Sequence, residues 1–482
     1  MRTVVDAPER LLAADYEWLP YRFHHLDEDR VAITNLAGEF VIVSRDEFQA
    51  LAAHDDLHAV LARRLRGKHV VRLPGETLPL ELLALKLRTR LADLSELTRL
   101  HIFVVTLRCE HSCGYCQVSR RTTAKAGYDM TEQAALRALD LVFQSPARSI
   151  KIEFQGGEPL LNFELVRFIV AEAERRNEIE GRNLAFVITS NLALLDDEVL
   201  GFCADHHIHL STSLDGPPDL HNTNRPRPGG DSFERAIAGI RRAHELLGAG
   251  SVSALMTNTP RSLGRVREIV DTYLELGLHE VFFRPISPYG HAVRNRSLRY
   301  EVATWLEHYV DGLDYVLELN ARGVPMLERY AAIVMRKMLS NEDPGYVDLM
   351  SPAGIGIGAL VYNYDGDVYA SDEGRMLAEM NDKTFRLGNV FTHDLRDLLL
   401  SDELLGPIEE SFALSAPQCS DCAFEPYCGS DPVFHHATQA DAVGHKPTSA
   451  FCQRNMGVFE HLLKRYHDDP AAREVFHRWA AR

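Results

Sequence analysis

At 482 residues the chain is too long for one ordinary hydrophobic core, and 45% apolar with 25% charged residues describes a folded protein of two or three domains. A net charge of −17 argues against broad attraction to nucleic acid, and no run reaches the roughly 18 to 20 apolar residues that cross a bilayer. Met1-Arg2-Thr3-Val4-Val5-Asp6 leads into acidic sequence without the apolar core or cleavage site of an export signal, so a cytoplasmic location is expected.

In chain order, Tyr21 to His24, Val31 to Asn35 and Phe40 to Val43 form a compact β pattern followed by helices, which predicts a small separate domain. From residue 101 to about 287, six apolar runs alternate with stretches of helical period. The runs are His101 to Leu107, Ile150 to Phe154, Leu184 to Thr189, His209 to Leu214, Val252 to Met256 and Glu280 to Arg284. Helices are expected near 131–144, 162–177, 196–205, 232–247 and 262–276, with Asp196 and Asp231 as caps. Such alternation implies a parallel sheet with right-handed crossovers, and six repeats fit a partial (β/α)6 barrel of the α/β class. Residues 301–340 read as two helices, and Gly354 to Tyr369 carries a hairpin signal with Asp365-Gly366 at its turn. The loop-rich remainder, to about 456, suggests a domain stapled by metal. Arg63-Arg64-Leu65-Arg66-Gly67-Lys68 and Arg225-Pro226-Arg227 read as solvated faces or peptide contacts.

Seven of the eight cysteines fall into two groups, Cys109, Cys113, Cys116 and Cys419, Cys422, Cys428, Cys452, while Cys203 reads as a small core residue. In a chain expected to stay in a reducing compartment, such clustering points to metal rather than disulfides. The first group directly follows the first predicted strand. Three thiolates on a cubane iron-sulfur cluster leave one iron free for a small molecule, whereas structural zinc and electron-transfer clusters normally take four protein ligands. A zinc completed by His111 or a distant ligand is the alternative. The second group supplies four thiolates, enough for a zinc or a whole [4Fe-4S] cluster, and its spacing does not choose between them. His435-His436, nearby, reads as two polar loop residues.

Around the first group, Gly156-Gly157-Glu158-Pro159 ends the second strand. Glycines there let the backbone approach a ligand closely, and a carboxylate with free backbone groups suits an ammonium. Ser190 and Asn191 end the third strand, and Ser213 sits in Ser211-Thr-Ser-Leu-Asp-Gly-Pro217 after the fourth, followed by His221, Asn222 and Arg225. These hydroxyl and amide groups are candidates to hold a ribose and a carboxylate. Met256-Thr257-Asn258 and Arg284-Pro285-Ile286 are candidates to flank a base.

The C-x3-C-x2-C spacing with Tyr115 before the last Cys, together with Gly156-Gly157-Glu158-Pro159, resembles the radical S-adenosylmethionine (SAM) superfamily. The resemblance implies a SAM-binding [4Fe-4S] cluster on Cys109, Cys113 and Cys116, with Gly156, Gly157, Glu158, Ser190, Asn191, Ser213 and Tyr115 at the SAM site. The second group resembles the SPASM extension of peptide maturases. Ser351, Ser371 and Pro432 stand where that pattern has cysteines of one auxiliary cluster, while Cys419, Cys422, Cys428 and Cys452 match the other, so a single auxiliary [4Fe-4S] cluster is implied. Asp372 corresponds to an acid proposed as general base in sulfatase-maturing relatives. The combined runs Leu107 to Arg120, Tyr362 to Gly374 and Tyr427 to Val433 look like the B component of the His-Xaa-Ser system maturases. That likeness implies a partner polypeptide rich in His-Xaa-Ser repeats as substrate, a second radical SAM enzyme and an external electron donor. The implied division is a winged-helix-like peptide-recognition domain over 1–95, a radical SAM core over 96–300, a helical linker over 301–345 and a SPASM-like domain with a C-terminal helix over 346–482. For the N-terminal unit, a cap on the barrel is the other reading. For the whole chain, the other reading is a noncatalytic scaffold held together by a cluster or by zinc.

Overall fold

The computed structural model describes residues 16–481, so the N-terminal segment read for an export signal lies outside the described residues. A nine-stranded sheet organises the chain, in the order Phe283–Arg284, Val252–Thr257, His209–Ser213, Asn183–Ser190, Ser149–Gly156, Leu100–Thr106, Ala359–Tyr362, Asp367–Tyr369 and Arg386–Asn389. The first seven run parallel, Asp367–Tyr369 runs antiparallel to them, and Arg386–Asn389 pairs antiparallel with Asp367–Tyr369. Helices Glu132–Val142, Phe163–Glu180, Asp197–Asp205, Ser232–Leu247 and Val266–Glu275 connect the parallel strands, as the sequence periodicity predicts. Six strand positions of a partial β/α barrel are therefore present, with their buried faces packed against apolar faces of these helices.

Three features depart from the sequence reading. The sixth strand is broken at Phe282: Glu280–Val281 pairs with Leu327–Glu328, and Phe283–Arg284 pairs with Val252–Thr257. An extra helix, Pro218–Asn224, occupies the segment read only as a polar run after the fourth strand, because Pro218 suits a first helical turn. Asp231 heads its helix without bonding the helix N–H groups, and its carboxylate pairs instead with Arg227 and Arg235, whereas Asp196 accepts from Val199 N as expected.

The hairpin around Asp365-Gly366 forms, and its first strand, Ala359–Tyr362, lies parallel beside Leu100–Thr106 in register Val361 to Ile102. The barrel sheet thus continues into the segment read as a C-terminal domain. Helices Val302–Ala321 and Arg329–Leu339 lie between, packed on the C-terminal helices Ala450–Asp468 and Pro470–Ala480.

Near the N-terminus, Tyr21–His25, Arg30–Asn35 and Phe40–Ser44 form an antiparallel meander with its own apolar cluster around Val31, Ile33, Leu61 and Leu65. It docks on the second cysteine segment. Arg22 pairs with Glu425 at 2.9 Å, Thr34 donates to the Ala423 carbonyl at 2.7 Å, Tyr427 donates to the Gly38 carbonyl at 2.8 Å, and Arg90 donates to the Pro426 carbonyl.

Candidate functional site

The first cysteine group hangs from the end of Leu100–Thr106 in a loop pinned by Cys109 N donating to Arg121 O (2.9 Å) and His291 N donating to Cys116 O (2.8 Å). Gly156 and Gly157 are required here, but for a different reason from the one expected. A Cβ on Gly156 would lie 1.8 Å from Thr106 O, and one on Gly157 would lie 2.3 Å from Arg108 O. The close approach is to the backbone carrying the cysteines, to which Gly157 N and Glu158 N both donate at 2.8 Å. Gly290, absent from the candidates, does the same on the other side: its φ is +63° and a Cβ would meet Cys116 O at 2.5 Å.

Glu158 is also corrected. Its side chain is fully buried and accepts from Ser190 Oγ (2.7 Å), Asn191 N (2.9 Å) and Leu160 N (3.1 Å), so it fastens the second strand end to the third instead of facing a ligand. Burial first, and then the charge of Glu110, push it up to about 8.

A hydrogen-bonded chain wraps the loop. His221 Nδ1 accepts from Asp215 N (3.3 Å), so His221 Nε2 donates to Ser232 Oγ (3.0 Å), Ser232 donates to His111 Nε2 (2.8 Å) and His111 Nδ1 donates to Glu110 (3.0 Å). Glu110 also accepts from Asn191 Nδ2 at 2.9 Å. Burial holds His221 down to about 3, in keeping with the neutral ring this chain needs. Cys109, Glu110 and His111 offer donor atoms within 4.8 Å of one another, but both His111 nitrogens are already engaged, which disfavours a zinc completed by that residue.

Tyr115 and Arg225 meet at Asp215. Tyr115 donates to Asp215 Oδ2 at 2.7 Å, Arg225 reaches both carboxylate oxygens at 3.1 and 3.2 Å, and its guanidinium lies 5.2 Å from the Tyr115 ring centre. Arg225 is therefore no solvated face: its side chain is 11% exposed and Asp215 is fully buried. Burial would raise the Asp215 carboxyl, but the Arg225 guanidinium, with the Tyr115 hydrogen bond, overcomes it and holds it below the usual range.

Cys109, Cys113, Cys116, Tyr115, Gly156, Gly157, Ser190, Asn191, Ser213 and Asp372 line one cavity of about 800 Å³. Met256, Thr257 and Arg284 also line it, while Asn258 is fully buried and bonded to His308, and Pro285 and Ile286 face a neighbouring recess. The Asp372 carboxylate, in this wall, accepts from Arg375 at 2.9 Å. All eight cysteines are free, and Cys203 is buried within its helix as expected. Burial pushes the Cys113 thiol up to about 12 and Cys109 higher still, so thiolates here call for a positive centre to stabilise them. Three free thiols with no fourth cysteine on the same cavity wall fit an iron-sulfur group with an open iron.

In the second group, Cys419, Cys422 and Cys428 lie on successive turns and Cys452 on the first turn of Ala450–Asp468, with Ser449 as its cap. Burial, then Cys452 and Cys419, raise Cys422 to about 11, and Cys422, Cys419 and Cys452 all act on Cys428, so the four thiols share one neighbourhood. That donor set fits a complete four-ligand site. The positions read as lost cysteines have other work: Ser371 caps Asp372–Ala378, Ser351 Oγ accepts from Ala413 N at 3.3 Å, and Pro432 opens Pro432–Gln439. His435 and His436 lie on that helix instead of a loop; His435 is buried against Ser449 and His436 binds Asp382.

Residues 103–273 match the model of the radical SAM superfamily, a family that uses a [4Fe-4S] cluster and SAM. An uncharacterized protein of Methanothermobacter thermautotrophicus is 28% identical over 183 residues, covering 37% of this chain and 65% of that one. A cysteine-type anaerobic sulfatase-maturating enzyme of Clostridium perfringens is 24% identical over 33% of this chain and 44% of its own length. The alignments thus span less than two thirds of these curated relatives. Among solved structures, anSMEcpe with bound AdoMet superposes with a TM-score of 0.64 at 20% identity, covering 79% of this chain and 97% of that one. Streptococcus suis SuiB bound to precursor peptide SuiA has a TM-score of 0.54 at 16% identity and covers 92% of this chain and 100% of that one. These structures share the fold. No helix among the described residues is long and apolar enough to cross a membrane.

Proposed function

We propose that this protein is a radical SAM maturase that modifies a peptide or protein substrate, an oxidoreductase-like reaction. The observation that carries the reading is the meeting of Cys109, Cys113 and Cys116 with Gly156, Gly157, Ser190, Asn191 and Ser213 around one cavity. Cys109, Cys113 and Cys116 would hold the SAM-binding cluster, and Cys419, Cys422, Cys428 and Cys452 one auxiliary [4Fe-4S] cluster. Bound there, the first cluster supplies the electron that cleaves SAM to a 5′-deoxyadenosyl radical.

The protein's own contribution is orientation and exclusion of water. Gly156 and Gly157 keep the cysteine loop close to the second strand. Ser190, Asn191 and Ser213 bind polar parts of SAM, and Tyr115, fixed by Asp215, walls the site. Asp372 is the general base that accepts a substrate proton, oriented by Arg375. The peptide complexes of the two superposing proteins support a peptide as substrate, and the sequence resemblance supports a His-Xaa-Ser repeat protein, a second radical SAM enzyme and an external electron donor as partners. The N-terminal meander is a peptide-recognition unit that extends its sheet with a leader strand, a reading supported by its two edge strands, Tyr21–His25 and Phe40–Ser44.

Anaerobic reconstitution tests this. About eight irons per chain, the content of two [4Fe-4S] clusters, and reductant-dependent 5′-deoxyadenosine are expected. No SAM cleavage at full iron loading would leave the scaffold reading in its place. Coexpression with a His-Xaa-Ser protein should produce a mass change that Cys109→Ala abolishes.

A further inference from the structure

Beside the large cavity lies a recess of about 70 Å³, and the two share Phe282, Arg284, Tyr346, Asp348 and Glu373 in their walls. Three carboxylates, Asp348, Glu373 and Asp431, line it. Each stands within three residues of one of the positions where the SPASM pattern would have a cysteine: Ser351, Ser371 and Pro432. Where the pattern would place soft sulfur ligands, this chain has gathered acids.

Asp348 accepts from Tyr346 at 3.0 Å, Asp431 caps Pro432–Gln439 through Phe434 N at 2.9 Å, and Glu373 meets only its own backbone N–H. Among the described residues no ion pair within 4.0 Å joins any of the three to a cation. Of the two arginines in the wall, Arg454 lies over Phe451, Phe434 and Trp305 at 5.5, 5.8 and 6.0 Å, its charge also acting on Asp431, and Arg284 lies over Phe282 at 5.7 Å. Burial and the charge of Asp348 hold Glu373 and Asp431 well above the usual carboxylate range, although Arg454 and Lys446 draw Asp431 part of the way back.

An independent feature points to a ligand. The Tyr289 hydroxyl has no hydrogen-bond partner, although the residue is only 2% exposed and lines the recess. Buried polar groups are rarely left unpaired.

We propose that this recess receives a cationic side chain of the polypeptide substrate, with the carboxylates as counter-charge, the Tyr289 oxygen as acceptor and the aromatic wall as packing surface. The proposal rests on the peptide-maturase reading above and specifies part of its substrate. About 70 Å³ has room for a few waters or for one ammonium, guanidinium or imidazolium head, and not for a folded segment. A bare divalent cation fits less well, because such ions need several oxygens at about 2.0–2.6 Å. Among the described residues the group of three donors gathered within 4.8 Å is Cys109, Glu110 and His111, not these acids.

The test is selection of random nonapeptides by mRNA display on the full-length, reconstituted protein with SAM. One position should be enriched about tenfold or more in Lys, Arg or His, the scale of one hydrogen bond to a charged group. The residue enriched identifies the head group. Glu373→Gln with Asp431→Asn, where Asn keeps the helix cap, should abolish that preference and leave the rest of the motif. Tyr289→Phe, which removes only the hydroxyl, should weaken it. Selected peptides without a cationic position, a preference surviving in the double variant, or no retained peptide would each overturn the proposal. So would one equivalent of Mg²⁺, Mn²⁺ or Ca²⁺ that the double variant loses. Assaying 5′-deoxyadenosine in the same preparations separates the two readings: SAM cleavage without cation preference sinks the recess alone, and cation preference without SAM cleavage sinks the maturase alone.

Discussion

The first cysteine group hangs from the ends of parallel strands, inside a mesh of buried hydrogen bonds that runs from His221 through Ser232, His111 and Glu110 to Asn191. The second is carried on turns and one helix end, and its stiffness comes from outside, from the N-terminal meander pressed on it through Arg22, Thr34 and Gly38. A centre that must leave room for a ligand is held by backbone on one side only, so its supports need to be many and buried. A centre closed by four thiolates supplies more of its own rigidity and can sit on loops.

The largest expected effect separates the two centres chemically. Cys109→Ala should reduce 5′-deoxyadenosine formation to background while retaining about four irons, whereas Cys428→Ala should retain SAM cleavage but lose the other four and the modified product. Iron analysis beside product mass checks this; SAM cleavage surviving in Cys109→Ala would break the comparison.

Next comes the buried pair beneath the first centre. Arg225→Met leaves the Asp215 charge unpaired and should cost about 3–5 kcal/mol, read as a lower melting temperature. Because the folded Asp215 carboxyl lies below its usual value, the pair's contribution is complete above about pH 4 and lost as pH falls through the lower folded value. The variant should therefore show a flatter acid limb than the parent.

Arg22→Met probes the second centre in the same way. Glu425 is 7% exposed and would lose its partner, so about 3 kcal/mol of destabilisation is expected, with iron lost from the second centre only. Equal iron loss from both centres would show that the meander supports the whole molecule. The smallest effect belongs to Gly157→Ala. Its Cβ would push on the Arg108 carbonyl and cost about 1–3 kcal/mol, with weakened iron retention at the first centre.

Much of this was legible in the residues. Short apolar runs at regular intervals marked the barrel strands to within two residues at most ends, because period and length are local properties. Cysteine spacing marked both centres for the same reason. Glu158 was misread in its direction: a carboxylate after two glycines looks available for a ligand, and only the arrival of Ser190 and Asn191 from the next strand turns it inward. Arg225 and the pair His435-His436 were misread as polar surface or loop because charge and polarity say nothing about a buried partner elsewhere in the chain.

By itself, then, the sequence determined the alternation of strand and helix and the two cysteine groups, both written in neighbouring residues. Tertiary structure alone decided that Ala359–Tyr362 would join the first barrel strand, that the meander would brace Glu425, and that Asp348, Glu373 and Asp431 would share one recess. Those meetings join residues tens to hundreds of positions apart. They depend on which buried surfaces fit together, which no local pattern records.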